Sequence, residues 1–448
     1  MELKNLLRCR SVAIIGASRS IEKPGYQILK NFLRDFKGRI YPVNPNADRI
    51  TGVKAYPSIT SIPYDVDLAI ISVSEKVLPK VVEESISKGV KLIIIITDIR
   101  DPGIREKVLT IVSKTKTRIL GPSSIGLYIP SLGLNTLFLP KDKQGYPESG
   151  GVGIATQSGA VGSLLLDELS ILGIGVSKFI GLGREWDITL EEVMEYFRED
   201  EDTLLTTAYI ERVSNGRRFF EIVKEFTLTK PLIIYKGGRE ETSAKIVETH
   251  TGTMIDYRVF YGAARQAGSI LIKDIRWITD AIQAVYFQPI PKGNRIGLVT
   301  GAGGIGITLL DEVNRYGLTI KEYIDVGGTS GDDEYLEWIE YMYRDKEIDI
   351  IALIPYYPSP AISNEFNTSL YGLVKDMLEA GYSKPVYIVP ISGGYIGEAS
   401  RELIEYKIPV LSSSTSFVDI VGELYNYWRY LKSRRVDNKY REVYELVR

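Results

Sequence analysis

Histidine and cysteine are almost missing from this sequence: 448 residues hold one of each, His250 and Cys9. A single cysteine forbids an intramolecular disulfide and fits a reducing, cytoplasmic setting. With so few of these ligands, a zinc site built from histidine and cysteine is excluded. A Cys–His nucleophilic pair could use only Cys9 and His250, and Cys9 precedes the first predicted strand, where it reads as structural. Long apolar runs are missing too. LIIIIT at 92–97 has the length of a strand, not of a membrane span. The opening MELKNLLRCRSV lacks the core and cleavage site of a signal peptide. Neither charge sign is in excess: 55 basic and 57 acidic side chains give a net charge of −2. They are spread along the chain, with no basic stripe for nucleic acid.

What is present is ample material for cores. The chain is 44% hydrophobic and 25% charged, and its length suggests about three domains. Abundant isoleucine and tyrosine with mixed charges would suit a thermophile. Three segments share one grammar, an apolar run, a Gly/Ser-rich turn and a helix-like pattern: SVAIIGASRS (11–20), GVGIATQSGAVGSLL (151–165) and RIGLVTGAGGIGITLL (295–310). Each opens an alternation of buried strands and amphipathic helices, which predicts parallel sheets covered on both faces. The expected strands lie near 11–15, 39–43, 67–73, 91–97 and 117–120, then near 151–156, 176–181, 205–210, 231–235 and 269–272, then near 295–299, 318–323, 348–354, 385–390 and 408–411. Gly/Pro-rich linkers fall at 139–151 and 288–294. The fold class expected is α/β, three successive doubly wound parallel-sheet domains: a Rossmann-like one over 1–138 and two flavodoxin-like ones over 148–288 and 293–448. The charged tail 432–448 reads as a solvated helix.

In open parallel sheets ligands bind at the carboxyl ends of strands, where helix N-termini favour anions. The three turns differ in the anion they suit. Gly301-Ala302-Gly303-Gly304-Ile305-Gly306 is a literal G-x-G-x-x-G, with Glu322 and Asp325 about 20 residues on. It reads either as a dinucleotide site, making the chain an NAD-binding oxidoreductase, or as a packing turn. The first turn, Gly16-Ala17-Ser18-Arg19-Ser20, is followed at its second strand by Asn44-Pro45-Asn46, with no carboxylate for a ribose hydroxyl. Arg19, Lys23 and Lys54 suit a phosphorylated nucleotide such as coenzyme A, or are scattered surface charge. The second turn, Gln157-Ser158-Gly159-Ala160, suits a single phosphate, and Ser158 reads equally as an N-cap.

His250 falls in GGREETSAKIVETHTGTMID, a polar connection of about 20 residues after the strand PLIIYK. Connections of that length inside a compact domain are usually functional or mobile. It leaves the same predicted sheet as the QSGA turn. Imidazole is a competent nucleophile and can carry a phosphoryl group on one nitrogen while a carboxylate orients the other. Glu211, ending the strand TTAYIE, is a candidate orienter, or an ordinary strand-terminal acid.

Taken in order, SVAIIGASRS, GRIYPVNPNADRITGVKAYPSI, DVDLAIISV, GPSSIGLY, TQSGAVG, YIERVSNGRRFFE, KPLIIYKGGR, HTG, TGAGGIGI and KPVYIVPISGG resemble the α subunit of the ADP-forming acyl-CoA synthetases, relatives of the succinyl-CoA synthetase α subunit. The resemblance covers almost the whole chain. It implies a first domain that binds coenzyme A, with Gly16, Ala17, Ser18, Arg19 and Ser20 and Asn44, Pro45 and Asn46 around the nucleotide and Ile96, Thr97 and Asp98 along the pantetheine. It implies that His250 is the phosphohistidine, Glu211 its orienting acid, and Gln157, Ser158, Gly159 and Ala160 the phosphate cradle. GAGGIG becomes a packing turn. The chain shows no G-x-x-x-x-G-K-[ST] loop, so the resemblance places ADP or ATP with Mg2+ on a partner β subunit carrying an ATP-grasp domain, in an α2β2 assembly without nucleic acid or membrane. The activity implied is interconversion of acyl-CoA, ADP and phosphate with a carboxylic acid, CoA and ATP. A non-catalytic CoA-binding paralogue and a succinyl-type ligase are the alternatives. Three positions depart from the family pattern, which has asparagine where this chain reads Ser123, Arg184 and Gly301, and TDIRDPG replaces an AGFKE-like segment.

Overall fold

The computed structural model describes residues 3–251, 255–390 and 394–447, with the side chains of 249–251, 394–396, 398 and 446 left outside that description. The chain forms two compact units, one of residues 1–222 with 237–257, the other of 223–236 with 258–448.

The first unit opens with a five-stranded sheet. Its order is Arg39–Val43, Ser11–Ile15, Leu68–Ile71, Leu92–Ile95, Arg118–Leu120, all parallel. These strands are near-continuous Ile, Val and Leu because helices cover both faces. Alternate residues Ala13, Ile15, Ala69, Ile71, Ile93 and Ile95 enter one shared cluster with Leu78 and Val82 of a covering helix. The strand order reverses between Ser11–Ile15 and Leu68–Ile71, which marks the carboxyl edge there as the ligand crevice.

A second sheet in this unit runs Leu205–Ile210, Ser149–Thr156, Val176–Gly181, all parallel, and is closed by Leu127–Ile129 and Leu134–Asn135, both antiparallel. Arg118 ties the two sheets together. Its guanidinium meets Asp187 at 2.8 Å and Glu192 at 3.0 Å, and the amide of Ile119 donates to Asp187 at 2.7 Å.

The second unit holds the parallel pair Leu232–Lys236 and Ile270–Ile272 and a four-stranded parallel sheet ordered Thr319–Asp325, Arg295–Thr300, Ile350–Ile354, Val386–Ile388. The strand expected near 408–411 is reduced to one bridge between Ile388 and Val410. The tail also differs from expectation. Helix Ser414–Ser433 takes up its start, and Glu442, Val443 and Tyr444 are buried, with Ile290 donating its amide to Glu442 at 2.7 Å. Among the described residues, no helix is long and apolar enough to cross a membrane.

Candidate active site

Four loops at strand carboxyl ends converge in the first unit: 96–100, 121–126, 157–160 and 182–188. Their backbones are laced together. Ser123 donates its amide to Thr97 (3.1 Å), Ser124 to Ile95 (3.3 Å), Arg184 to Pro122 (2.8 Å) and Trp186 to Gly121 (2.9 Å). Two of the non-glycine residues with positive φ lie here, Ser123 at 55° and Glu185 at 50°. Strain of this kind persists where surroundings over-determine the backbone, as they do at functional sites.

The helix Gly159–Ile171 starts at this point. Ser158 is its N-cap, its hydroxyl accepting from the Val161 amide at 3.4 Å. Gln157 is committed elsewhere. Its Oε1 accepts from the amides of Glu211 (2.5 Å) and Arg212 (2.8 Å), and its Nε2 donates to the Arg212 carbonyl (2.9 Å) and to Glu185. Its backbone amide donates to Tyr209. The Gln157 side chain, with all four bonds made, braces the turn. The polar groups left for an anion would then be the first amides of the helix, at Gly159 and Ala160, which have no intrahelical acceptor.

Gly159 and Ala160 line a cavity of about 360 Å³ whose other walls include Ile96, Asp98, Ser123, Ile125, Phe138 and Leu139. So two groups of expected site residues, Ile96 with Asp98 and Gly159 with Ala160, border one space. Asp98 is the centre of its rim. Ser123 Oγ donates to its Oδ1 at 2.7 Å, Arg184 meets the same oxygen at 2.9 Å, and Arg100 reaches Oδ2 at 3.4 Å. The Ser123 hydroxyl, and after it Arg184, hold the Asp98 carboxyl below its usual range. Thr97 is turned away, its hydroxyl donating to the Val73 carbonyl at 2.6 Å.

Glu211 accepts from the Tyr209 hydroxyl at 3.0 Å and lies beside Gly237, where the chain leaves for the next helix. That helix, Glu241–Thr251, carries His250 and replaces the open loop expected there. Ser243 bonds back to the carbonyl of Glu240 at 2.9 Å, and Lys245 pairs with Glu241 one turn away at 2.7 Å. The His250 side chain lies outside the described residues, so its distance to Glu211 is not part of this geometry.

Glu185 was not among the expected site residues. Its side chain is fully buried between Gln157 and Arg212, with the Arg212 guanidinium 3.6 Å away and the Leu190 amide donating at 3.3 Å. Burial pushes its carboxyl up to about 7, against the pull of Arg212 and Gln157. The available sign was an acid two positions after a strand's GLG turn.

At the first sheet, the turn 16–20 sits at the crevice. Gly16 has φ +91°, and a Cβ there would strike the Ser72 carbonyl, so only glycine fits. Asn44 donates to the Ala17 carbonyl at 2.7 Å and accepts from the Asn46 amide at 2.8 Å, joining the two expected nucleotide segments. Ser18 accepts from the Ser20 amide at 3.0 Å, while Arg19, Ser20, Pro45 and Asn46 are exposed. Helix Pro24–Asp35 begins just beyond, and Lys54 lies 5.2 Å from the Tyr56 ring centre. An exposed arginine, two exposed lysines and a helix N-terminus at one edge fit a phosphorylated nucleotide.

The third turn is filled by its own neighbours. A Cβ on Gly301 would overlap the Tyr335 hydroxyl, one on Gly303 the Asp325 carboxylate, and one on Gly306 would come 2.9 Å from the Tyr323 hydroxyl. Packing accounts for all three glycines without a dinucleotide.

Residues 10–130 match the CoA binding domain family, and residues 149–285 match the succinyl-CoA ligase like flavodoxin domain. The Methanocaldococcus jannaschii acetate–CoA ligase (ADP-forming) is 38% identical over 327 residues, 72% of this chain and 46% of that protein, so the chain spans about half of that ligase's length. The α subunit of Pyrococcus furiosus acetate–CoA ligase (ADP-forming) II is 31% identical, covering 88% of this chain and 91% of the subunit. The Candidatus Korarchaeum cryptofilum dinucleotide forming acetyl-coenzyme A synthetase 1, solved in complex with phosphate and ADP, superposes with a TM-score of 0.85 at 27% identity, covering 98% of each chain. The chain belongs to the family of ADP-forming acetate–CoA ligase α subunits, acid–thiol ligases of the succinyl-CoA ligase type.

Proposed function

We propose that this chain is the α subunit of an ADP-forming acyl-CoA ligase and that His250 carries its phosphoryl group. The observation that carries the reading is the single cavity bordered by Ile96 and Asp98 on one side and by the Gly159 and Ala160 amides on the other. Coenzyme A lies along Gly16–Ser20 and Asn44–Asn46 and sends its pantetheine past Ile96 and Thr97, bringing the thioester carbonyl to the phosphate at the helix N-terminus. A phosphate oxygen attacks the carbonyl carbon, the C–S bond breaks, and CoA leaves with a proton as the free thiol. The N-terminal amides stabilise negative charge on the phosphoryl oxygens. His250 Nε2 attacks the phosphorus of the acyl phosphate, and the P–O bond to the acyl group breaks, releasing the carboxylate. Glu211 holds Nδ1–H and stabilises the charged ring. Phosphohistidine then passes its phosphoryl group to ADP, bound with Mg2+ in an ATP-grasp domain of a β subunit, within an α2β2 assembly.

The test is incubation of the chain and its β subunit with γ-labelled ATP. Acid-labile, base-stable label is expected on the parent chain and none on His250→Ala. Equal labelling of both would end the proposal, and CoA binding without any label would make the chain a non-catalytic CoA-binding relative. Glu211→Gln should label more slowly with CoA affinity retained.

A further inference from the structure

The strand Leu205–Ile210 pairs with Ser149–Thr156 as far as Tyr209, which lies opposite Thr156. Glu211 and Arg212 lie past that last pair, and there the Gln157 side chain takes over from the ladder. Its Oε1 accepts the amides of Glu211 (2.5 Å) and Arg212 (2.8 Å), and its Nε2 donates to the Arg212 carbonyl (2.9 Å). The same Nε2 donates to Glu185, which fixes the far end of the amide. Arg212 closes the ring. Its guanidinium donates to the carbonyls of Arg184 (3.0 Å) and Glu185 (3.3 Å) and lies 3.6 Å from the Glu185 carboxylate. The 157–160 turn is held separately: Thr156 Oγ1 donates to the Ser158 carbonyl at 2.7 Å and accepts from its amide at 3.1 Å. The grip of this ring is therefore on the Glu211 end.

We infer that Glu185 is a positioning residue for the phosphoryl transfer: through Gln157 it fixes the backbone at Glu211, and so the direction from which that acid meets the imidazole. This rests on the reading of Glu211 as the acid that orients His250. The Glu185 side chain is fully buried and its backbone is left-handed, with φ 50°. Both features cost free energy. An apolar side chain would spare the desolvation, but it could not serve three donors from two sides. One carboxylate oxygen accepts from Gln157, and the other faces the Leu190 amide at 3.3 Å and Arg212. Without Glu185, Gln157 Nε2 keeps one acceptor of its two and its amide is free to turn. The Tyr209 hydroxyl holds the Glu211 carboxylate directly at 3.0 Å, so the ring supplies the backbone half of the same placement. A misplacement of about 1 Å at a reacting group can cost about 100-fold in rate, so the loss of a bond behind Glu211 reaches the chemistry.

Single-turnover labelling of the chain by γ-labelled ATP, with its β subunit present, tests this in the parent, Glu185→Gln, Glu211→Gln and the double variant. Glu185→Gln keeps the shape but offers one acceptor where the carboxylate offers two. At saturating ATP it should label about tenfold more slowly than the parent, with CoA affinity and the dependence on ATP concentration unchanged. In the Glu211→Gln background the same change should cost less than about twofold, because the acid it serves is gone. Gln157→Met cuts the link from its other end and should show the same two values, which decides the matter where Glu185→Gln loses CoA binding and so fails to fold. Labelling of folded Glu185→Gln at the parent rate overturns the inference while the phosphohistidine reading stands. So does an equal fold-loss in both backgrounds, which is what a merely structural Glu185 would give. A parent chain that takes no label on His250 removes that reading and the inference with it.

Discussion

The family resemblance leads to an expectation of asparagine at 301, and Tyr335 shows why glycine suits this chain there. The Tyr335 hydroxyl fills the place of a Cβ at 301 and accepts the Tyr356 amide at 3.2 Å. Tyr335 itself is fully buried, so neither partner can move aside without disturbing the core. Gly301→Asn should therefore destabilise the second unit by about 1–3 kcal/mol, the usual effect of overpacking. Tyr335→Phe clears the overlap but orphans the Tyr356 amide. The double variant should be more stable than the sum of the single changes predicts, as urea unfolding of all four proteins would measure. Additive losses would mean that the two residues do not compete for this space. At this scale the glycine turns were legible, because a tight turn or a close approach demands glycine wherever it occurs. Glu185 was not. Its interest comes from burial under Gln157 and Arg212, partners 28 and 27 positions away, and nothing local announces that.

Among elements, the buried strands were the easiest to read, since parallel sheets covered on both faces leave unbroken apolar runs such as LAII and LIII. The antiparallel strands Leu127–Ile129 and Leu134–Asn135 escaped because they are very short. Helix Glu241–Thr251 escaped for a different reason: among its described residues most side chains face solvent, so the sequence carries little apolar periodicity. Ile246 is 55% exposed, and Glu241, Thr242, Lys245 and Glu248 face solvent. Among its described side chains, Lys245 pairs with Glu241 one turn away, a contact worth a few tenths of a kcal/mol on a helix surface. Helix Gly159–Ile171 is the opposite case, with Gly162, Leu165, Leu166 and Leu169 buried. Its cap separates the two readings of Ser158. As an N-cap, Ser158→Ala should lower stability by about 1 kcal/mol and Ser158→Gly by only a few tenths. If Ser158 also holds phosphate, both variants should lose phosphorylation of the chain alike. Labelling that instead tracks stability, with the glycine variant near the parent, would reduce the serine to a cap.

For the whole molecule, carboxyl groups whose titration is raised by burial set how stability depends on pH, and among the described residues the two units differ in how many they hold. The first unit has Glu185, pushed by burial up to about 7. The second has Glu423, likewise pushed by burial up to about 7 despite Arg265, and Asp280 and Glu442, both raised by burial. An unfolded glutamate titrates near 4.5. Between pH 4.5 and 7 the folded chain thus keeps protons on Glu185 and Glu423 that the unfolded chain has released, so stability falls as pH rises through this window. Each group accounts for on the order of 3 kcal/mol across it, and neither is screened by solvent, with side-chain exposures of 0% and 1%. The depressed carboxyls of Asp67 and Asp98 act in the other direction only below their ordinary value of 3.8, outside this window. Both units should accordingly be more stable at pH 5.5 than at pH 8, the second by the larger margin. Hydrogen exchange resolved by peptide, compared at the two pH values after correction for intrinsic rates, reads each unit separately. Glu185→Gln should flatten the dependence of the first unit alone, and Glu423→Gln should weaken that of the second. A first unit that gains as much as the second on acidification, or a dependence untouched by either substitution, would show that these buried carboxyls do not govern it.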